Sequence, residues 1–255
     1  MVLIVASLGI SLLAAFGQAV SGFGFALISV PLLSLTLEPA AAVAVATMLG
    51  FVLTIGSSFH QRAHVQWRTV AVVSATGLLG MPFGLLALQL LDARWLSLVI
   101  GGTVIVMVIV LARRHHRTAQ DRTAQDRTEQ DSQLPTRSVA VAGALSGALL
   151  TSTAMNGPPL VAALHGMGLA PRPFRASLQA AFVLQDAVAI VGFALVGRVT
   201  AEGLTAVAAG IPGLLIGWLV GDYAFGRINP AAFRWIVLAM LTATGSVAII
   251  QAVTG

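Results

Sequence analysis

A chain of 255 residues that is 57% hydrophobic and 9% charged, with a mean hydropathy of +0.92, is not composed for water; soluble domains carry about 25% charged residues. A net charge of +5 and a pI of 11.4 would point to nucleic acid in a soluble protein, but here the basic residues sit in one central hydrophilic stretch or between apolar runs, as membrane orientation requires. With no cysteine, disulfides and thiolate metal sites are excluded.

A hydrocarbon core of about 30 Å takes about 20 helical residues to cross, and apolar runs of that order recur along the chain. The first, 2–20, lacks the basic start of a secretory signal and reads as a span, not a cleaved leader. Segments at 24–37, 39–59, 68–91 and 94–112 follow. After a polar stretch come 138–155, 157–169, 173–197, 200–224 and 231–252. The runs 24–37 and 157–169 are too short for a comfortable crossing and suit the half-helix of a broken or re-entrant hairpin. Between the two sets, residues 117–131 read RTAQD-RTAQD-RTEQD, a polar tandem repeat with nothing to bury and therefore expected to be disordered. The expected organisation is a first membrane repeat at 1–112, a polar linker at 113–137 and a second membrane repeat at 138–255.

Shifting the chain by 133 sets Gly24 on Gly157, Gly77 on Gly210, Gly80 on Gly213 and Gly84 on Gly217. A further insertion of seven sets Arg94-Trp95 on Arg234-Trp235. A half made of one hairpin and three spans reverses direction, so duplicated halves are inverted. Twelve of the 14 basic residues, all arginine, then share one face with the linker, and Arg94 and Arg198 lie opposite. The positive-inside bias makes that face cytoplasmic and puts both termini outside. The fold expected is an all-α polytopic membrane protein of two inverted repeats, with about 8 to 10 helical segments.

Two runs carry the chemistry. In SGFGFALISVPLL (Ser21–Leu33), Gly22 and Gly24 permit backbone shapes and close approaches denied to other residues. In TSTAMNGPPL (Thr151–Leu160), Asn156 suits a helix N-cap and Pro158 the first turn. Half-helices opening at both runs direct free amides and positive dipole ends at one point near the midplane, where an anion is attracted. Gln18, Ser21, Thr151, Ser152, Thr153 and Asn156 offer neutral donors to its oxygens, beside the backbone of Gly157. The same small residues also let membrane helices pack closely without touching a substrate.

Asp186 falls halfway along its span, where a charge costs about 2.5–3.5 kcal/mol on insertion scales. It is either a proton-coupling group facing the cavity or a neutral hydrogen-bonding partner of another helix. Gln179 and Gln185 lie near the same helical face, where they either line the cavity, Gln179 as a substrate-binding residue, or hold helices together. Arg175 either recruits anions or snorkels to the interface. His165 is alone in an apolar segment and reads as a packed residue; no metal or other cofactor is assigned. Trp67, Trp95, Trp218 and Trp235 mostly flank apolar runs, where an aromatic ring settles at the interface.

The runs SGFGFALISVPLL and GALSGALLTSTAMNGPPL, followed by PFRASLQAAFVLQDAVAI, resemble the sulfite exporter TauE/SafE family, also called the four-toluenesulfonate uptake transporter family, over nearly the whole chain. The resemblance implies an inner-membrane permease for sulfite, organosulfonates or small carboxylates, commonly in the export direction. It assigns Gly22 and Gly24 to the first motif and Asn156, Gly157 and Pro158 to the second. Phe25 and Ala26 depart from a more glycine-rich pattern, and Asp186 stands where an uncharged polar residue is expected. No Gly-x-Ser-x-Gly or His-Glu-x-x-His pattern supports an enzyme. The competing reading is a non-transporting scaffold whose glycines pack helices and whose basic linker docks a partner or anionic lipid. The expected partners are a small anion and the bilayer, and a homo-oligomer stays open.

Overall fold

The computed structural model describes residues 1–21, 24–120, 136–167 and 169–225. Among them the regular elements are helices: α1 (Val2–Ser21), α2 (Phe25–Leu33), α3 (Pro39–Gln61), α4 (Trp67–Leu90), α5 (Ala93–Gln120), α6 (Thr136–Thr153), α7 (Gly157–Gly166), α8 (Pro171–Leu195) and α9 (Ala201–Phe225), with one 3-10 turn at Arg62–His64. Gly22, the pentad repeats from residue 121 and the run 231–252 lie outside the described residues.

Five of these helices hold stretches long and apolar enough to cross a membrane: Val2–Ala19, Pro39–Gly56, Trp67–Leu90, Arg172–Leu195 and Ala201–Ala224. The chain is a polytopic membrane protein. Leu79, Phe83 and Leu90 on α4, and Leu215 and Leu219 on α9, point outward as a lipid-facing surface does. α2 has 9 residues and α7 has 10, so at about 1.5 Å per residue each covers roughly half the hydrocarbon thickness. α5 runs past the apolar stretch that ends at residue 112, because the Arg-, Ala- and Gln-containing tract that follows still favours helix after its hydropathy has gone.

Packing pairs elements remote in sequence. α1 lies along α9, α4 lies along α6, and α3 meets α8. Thus the first helix of each half is held by the fourth helix of the other. Glycine permits the two long contacts. A Cβ on Gly80 or Gly84 of α4 would strike the carbonyl of Ala144 or Ala148 on α6, and one on Gly213 or Gly217 of α9 would strike that of Leu8 or Leu12 on α1. Each couple has the Gly-x-x-x-Gly spacing that brings membrane helices into backbone contact. Both pairs run parallel, since contact positions rise together along the two chains.

α3 and α8 run antiparallel. At one end Arg198, past α8, pairs with Glu38, before α3, at 3.4 Å. At the other, Ser177 near the start of α8 accepts through Oγ from the backbone N–H of Gln66, just beyond α3, at 2.9 Å. Phe25 and Gly157 open α2 and α7, Pro39 and Pro171 open α3 and α8, and each couple is 132 residues apart. The glycines of α4 and α9 keep the 133 spacing. These helix starts differ by one residue from the spacing that sets Gly24 on Gly157.

Candidate functional site

Both helix breaks need backbone that L-residues rarely adopt. Gly24 precedes α2 with φ 108°, in the left-handed region where a Cβ would be strained. After α6, Ala154 holds φ 60°, the one non-glycine residue with positive φ among the described residues. Such a geometry costs of order 1–3 kcal/mol and persists where packing over-determines it, commonly at functional sites. It turns the chain so that a new helix starts in the interior.

The two new helices start at the same place. Gly24, Phe25, Ala26 and Leu27 at the head of α2 line one cavity together with Asn156, Gly157 and Pro158 at the head of α7. Its remaining walls are Gln18 of α1, Ala46, Thr47, Gly50 and Thr54 of α3, Ala154 and Met155 after α6, and Phe182 and Asp186 of α8. The volume open to the centres of water-sized spheres is ≈ 40 Å³, enough for about three waters or one compact oxyanion. An α-helix leaves its first four amides without intrahelical acceptors and carries partial positive charge at that end. Pro158 and Pro159 remove two of those amides from α7, so α2 is the richer source of N–H donors.

Buried side chains tune these ends. Gln18 Oε1 accepts from the Phe25 N–H at 3.1 Å, placing a neutral acceptor against the α2 terminus. Asn156 sits at the N-cap position of α7, yet its side chain makes no capping bond. Its Nδ2 donates instead to Asp186 Oδ1 at 3.3 Å and, more weakly, to Gln185 Oε1 at 3.5 Å. Gln185 Oε1 also accepts from Ser146 Oγ at 2.9 Å, and its Nε2 donates to the Val73 carbonyl at 3.1 Å. One glutamine thus ties α8 to α4, α6 and the head of α7, fixing Asp186 beside Asn156.

Of the residues singled out by sequence, Gln18, Gly24, Asn156, Gly157, Pro158 and Asp186 come together at the cavity. Thr151, Ser152 and Thr153 do not line it. Their hydroxyls donate to carbonyls, Thr151 to Met81 at 2.8 Å and Gly147 at 3.0 Å, Ser152 to Ala148 at 2.8 Å and Thr153 to Leu149 at 2.8 Å. Arg175 and Gln179 lie nearer the start of α8, outside the lining. Ser21 ends α1, and its side chain, like Gly22, falls outside the described residues.

The sequence reading missed Thr47, Gly50, Thr54, Met155 and Phe182. The first three had a signal, since spacings of three and four put them on one face of α3. With the 132-residue register, Phe25 matches Gly157, Gly50 matches Phe182 and Thr54 matches Asp186, and both members of each couple line the cavity. Among the described residues, no three His, Cys, Asp or Glu gather as a metal site.

Comparison with known families agrees with this architecture: the family Sulfite exporter TauE/SafE matches residues 7–247. The chain belongs to the TauE/SafE family. Neither a curated protein nor a solved structure matches it. Membership makes it a membrane transporter of a family named for sulfite, a sulfur oxyanion.

Proposed function

We propose that this TauE/SafE chain is a permease that carries small sulfur oxyanions, sulfite or organosulfonates, across the inner membrane by alternating access. The observation that carries the reading is the meeting of two half-helix N-termini in one cavity. Amide donors and dipole ends bind an oxyanion without a buried countercharge, so the anion can also leave. Gln18 Nε2 adds two N–H donors to that end, and Asn156 Nδ2 forms the polar edge opposite.

Alternating access calls for two bodies that rock about a shared site. The proposed bodies are inverted repeats, 1–112 and 138–255. Support comes from the exchanged pairs α1 with α9 and α4 with α6, and from the antiparallel α3 and α8. Arginine placement orients the molecule: the α3–α4 turn, the linker and the start of α8 face the cytoplasm, and the N-terminus faces outward. Export is the working direction, down an outward gradient of the anion.

Purified protein in liposomes tests the reading with radiolabelled sulfite, sulfoacetate and malonate as internal substrates. Saturable efflux of a sulfur anion, suppressed by Asn156→Ala, is the expected result. A folded protein that moves none of the three contradicts it, and efflux of malonate alone reassigns the substrate to small carboxylates.

A further inference from the structure

Asp186 is the single ionisable residue among those lining the cavity. For an anion site that is the wrong sign, and no base among the described lining residues offsets it. The elements packed on α8 are α3, α4, α6, α7 and the 3-10 turn. Their titratable and charged groups stand at element ends: Glu38 before α3 and His60 in its last turn, Arg62 and His64 in the 3-10 turn, Arg68 opening α4 and Asp92 after it, Arg137 opening α6 and His165 closing α7. On α8 itself, Arg172 and Arg175 lie in the first turns, Arg175 eleven residues and so about 16 Å along the axis from Asp186, and Arg198 follows the last. The carboxyl's one hydrogen bond among the described residues is to a neutral group, the long 3.3 Å bond from Asn156, and Thr54 lines the same cavity from α3 with its hydroxyl donating to the Gly50 and Phe51 carbonyls.

A bound oxyanion and an ionised carboxylate lining one small cavity repel each other. The combination that fits is an anion beside a protonated carboxyl, which turns from repulsive neighbour into O–H donor. The alternative is a zwitterion that carries its own ammonium group to the carboxylate, and transport of taurine distinguishes it. The register adds a second observation. Counting by the same 132 residues, Thr54 of α3 stands against Asp186 of α8, so a hydroxyl lines one wall where an acid lines the other.

We propose that Asp186 takes up one proton with each monoanion, so that the two cross as an electroneutral pair. The proposal rests on the permease reading. Binding consumes one proton from the loading side, and release returns the anion and that proton on the other. Net movement then follows the combined gradients of anion and proton, and membrane voltage does not drive it.

Methanesulfonate, whose charge is constant across the working pH, is the probe. Its affinity for the purified protein is measured by calorimetry from pH 5 to pH 9, and its influx into liposomes is measured with an internal pH dye. In wild type, affinity is expected to fall by about tenfold per pH unit on the alkaline side, and influx is expected to acidify the lumen by one proton per anion at zero voltage. In Asp186→Asn, whose carboxamide mimics the protonated acid, binding becomes independent of pH and influx carries charge without acidification. Thr54→Asp combined with Asp186→Thr moves the acid to the facing wall and restores both signals. Wild-type influx that carries charge with no proton overturns the proposal and leaves the permease standing, as does an Asn variant that keeps the wild-type pH slope. Transport confined to taurine, lost in Asp186→Asn and silent to the dye, assigns the carboxylate to an ammonium group and also overturns it. Absence of both binding and flux for methanesulfonate and sulfite at every pH overturns the two readings together.

Discussion

Among the residues of the site, Asn156 separates most clearly from its neighbours, because its side chain ignores the helix it heads and bridges Asp186 and Gln185. Removing a buried donor of this kind costs about 1–3 kcal/mol, so Asn156→Ala is expected to weaken anion affinity by roughly tenfold or more, read as a rise in half-saturation of flux. Ser152→Ala is the internal control. Its hydroxyl donates to the Ala148 carbonyl one turn back, and flux through that variant should stay within about twofold of wild type. Sequence alone placed both residues in one donor set, since a hydroxyl bonded to its own helix and one facing a ligand look identical in a string of letters. Thr47, Gly50 and Thr54 escaped notice for the converse reason: small uncharged residues on an apolar helix resemble packing positions until a cavity is seen beside them.

Elements were more legible than sites. The shortness of α2 and α7 followed from the length of their apolar runs, and their positive helix ends from Gly24 and from Asn156-Gly157-Pro158. The exchange of α1 onto α9 and of α6 onto α4 was not readable, because no local pattern names a partner 200 or 60 residues away; only the shared glycine spacing hinted that these surfaces meet something closely. That spacing predicts a sharp contrast. Gly80→Leu and Gly213→Leu push a side chain into the facing backbone, at Ala144 and Leu8, and are expected to destabilise the protein by about 1–3 kcal/mol or to prevent assembly, seen as a lower melting temperature in detergent. Gly9 and Gly102 have open space around a would-be Cβ. Alanine there should be neutral or should stabilise by up to about 1 kcal/mol through helix propensity alone.

On the scale of the whole molecule, the absence of native cysteine makes topology directly measurable. A cysteine at Gln66, in the turn before α4, is expected to react with an impermeant thiol reagent only from the cytoplasmic side. One at Asp92, between α4 and α5, should react only from outside, and the reverse pattern would flip the molecule. The central claim is that the cavity heading α2 and α7 is the path of the anion and opens to each side in turn. The most direct test is Thr47→Cys in proteoliposomes, challenged with a charged, impermeant thiol reagent from either face. Modification from both faces, slowed by a transported organosulfonate and accompanied by loss of flux, is the result expected of a cavity alternately open to both sides. A Thr47 cysteine that transports normally yet is modified from neither face, or is modified at a rate indifferent to the anion, would contradict the claim.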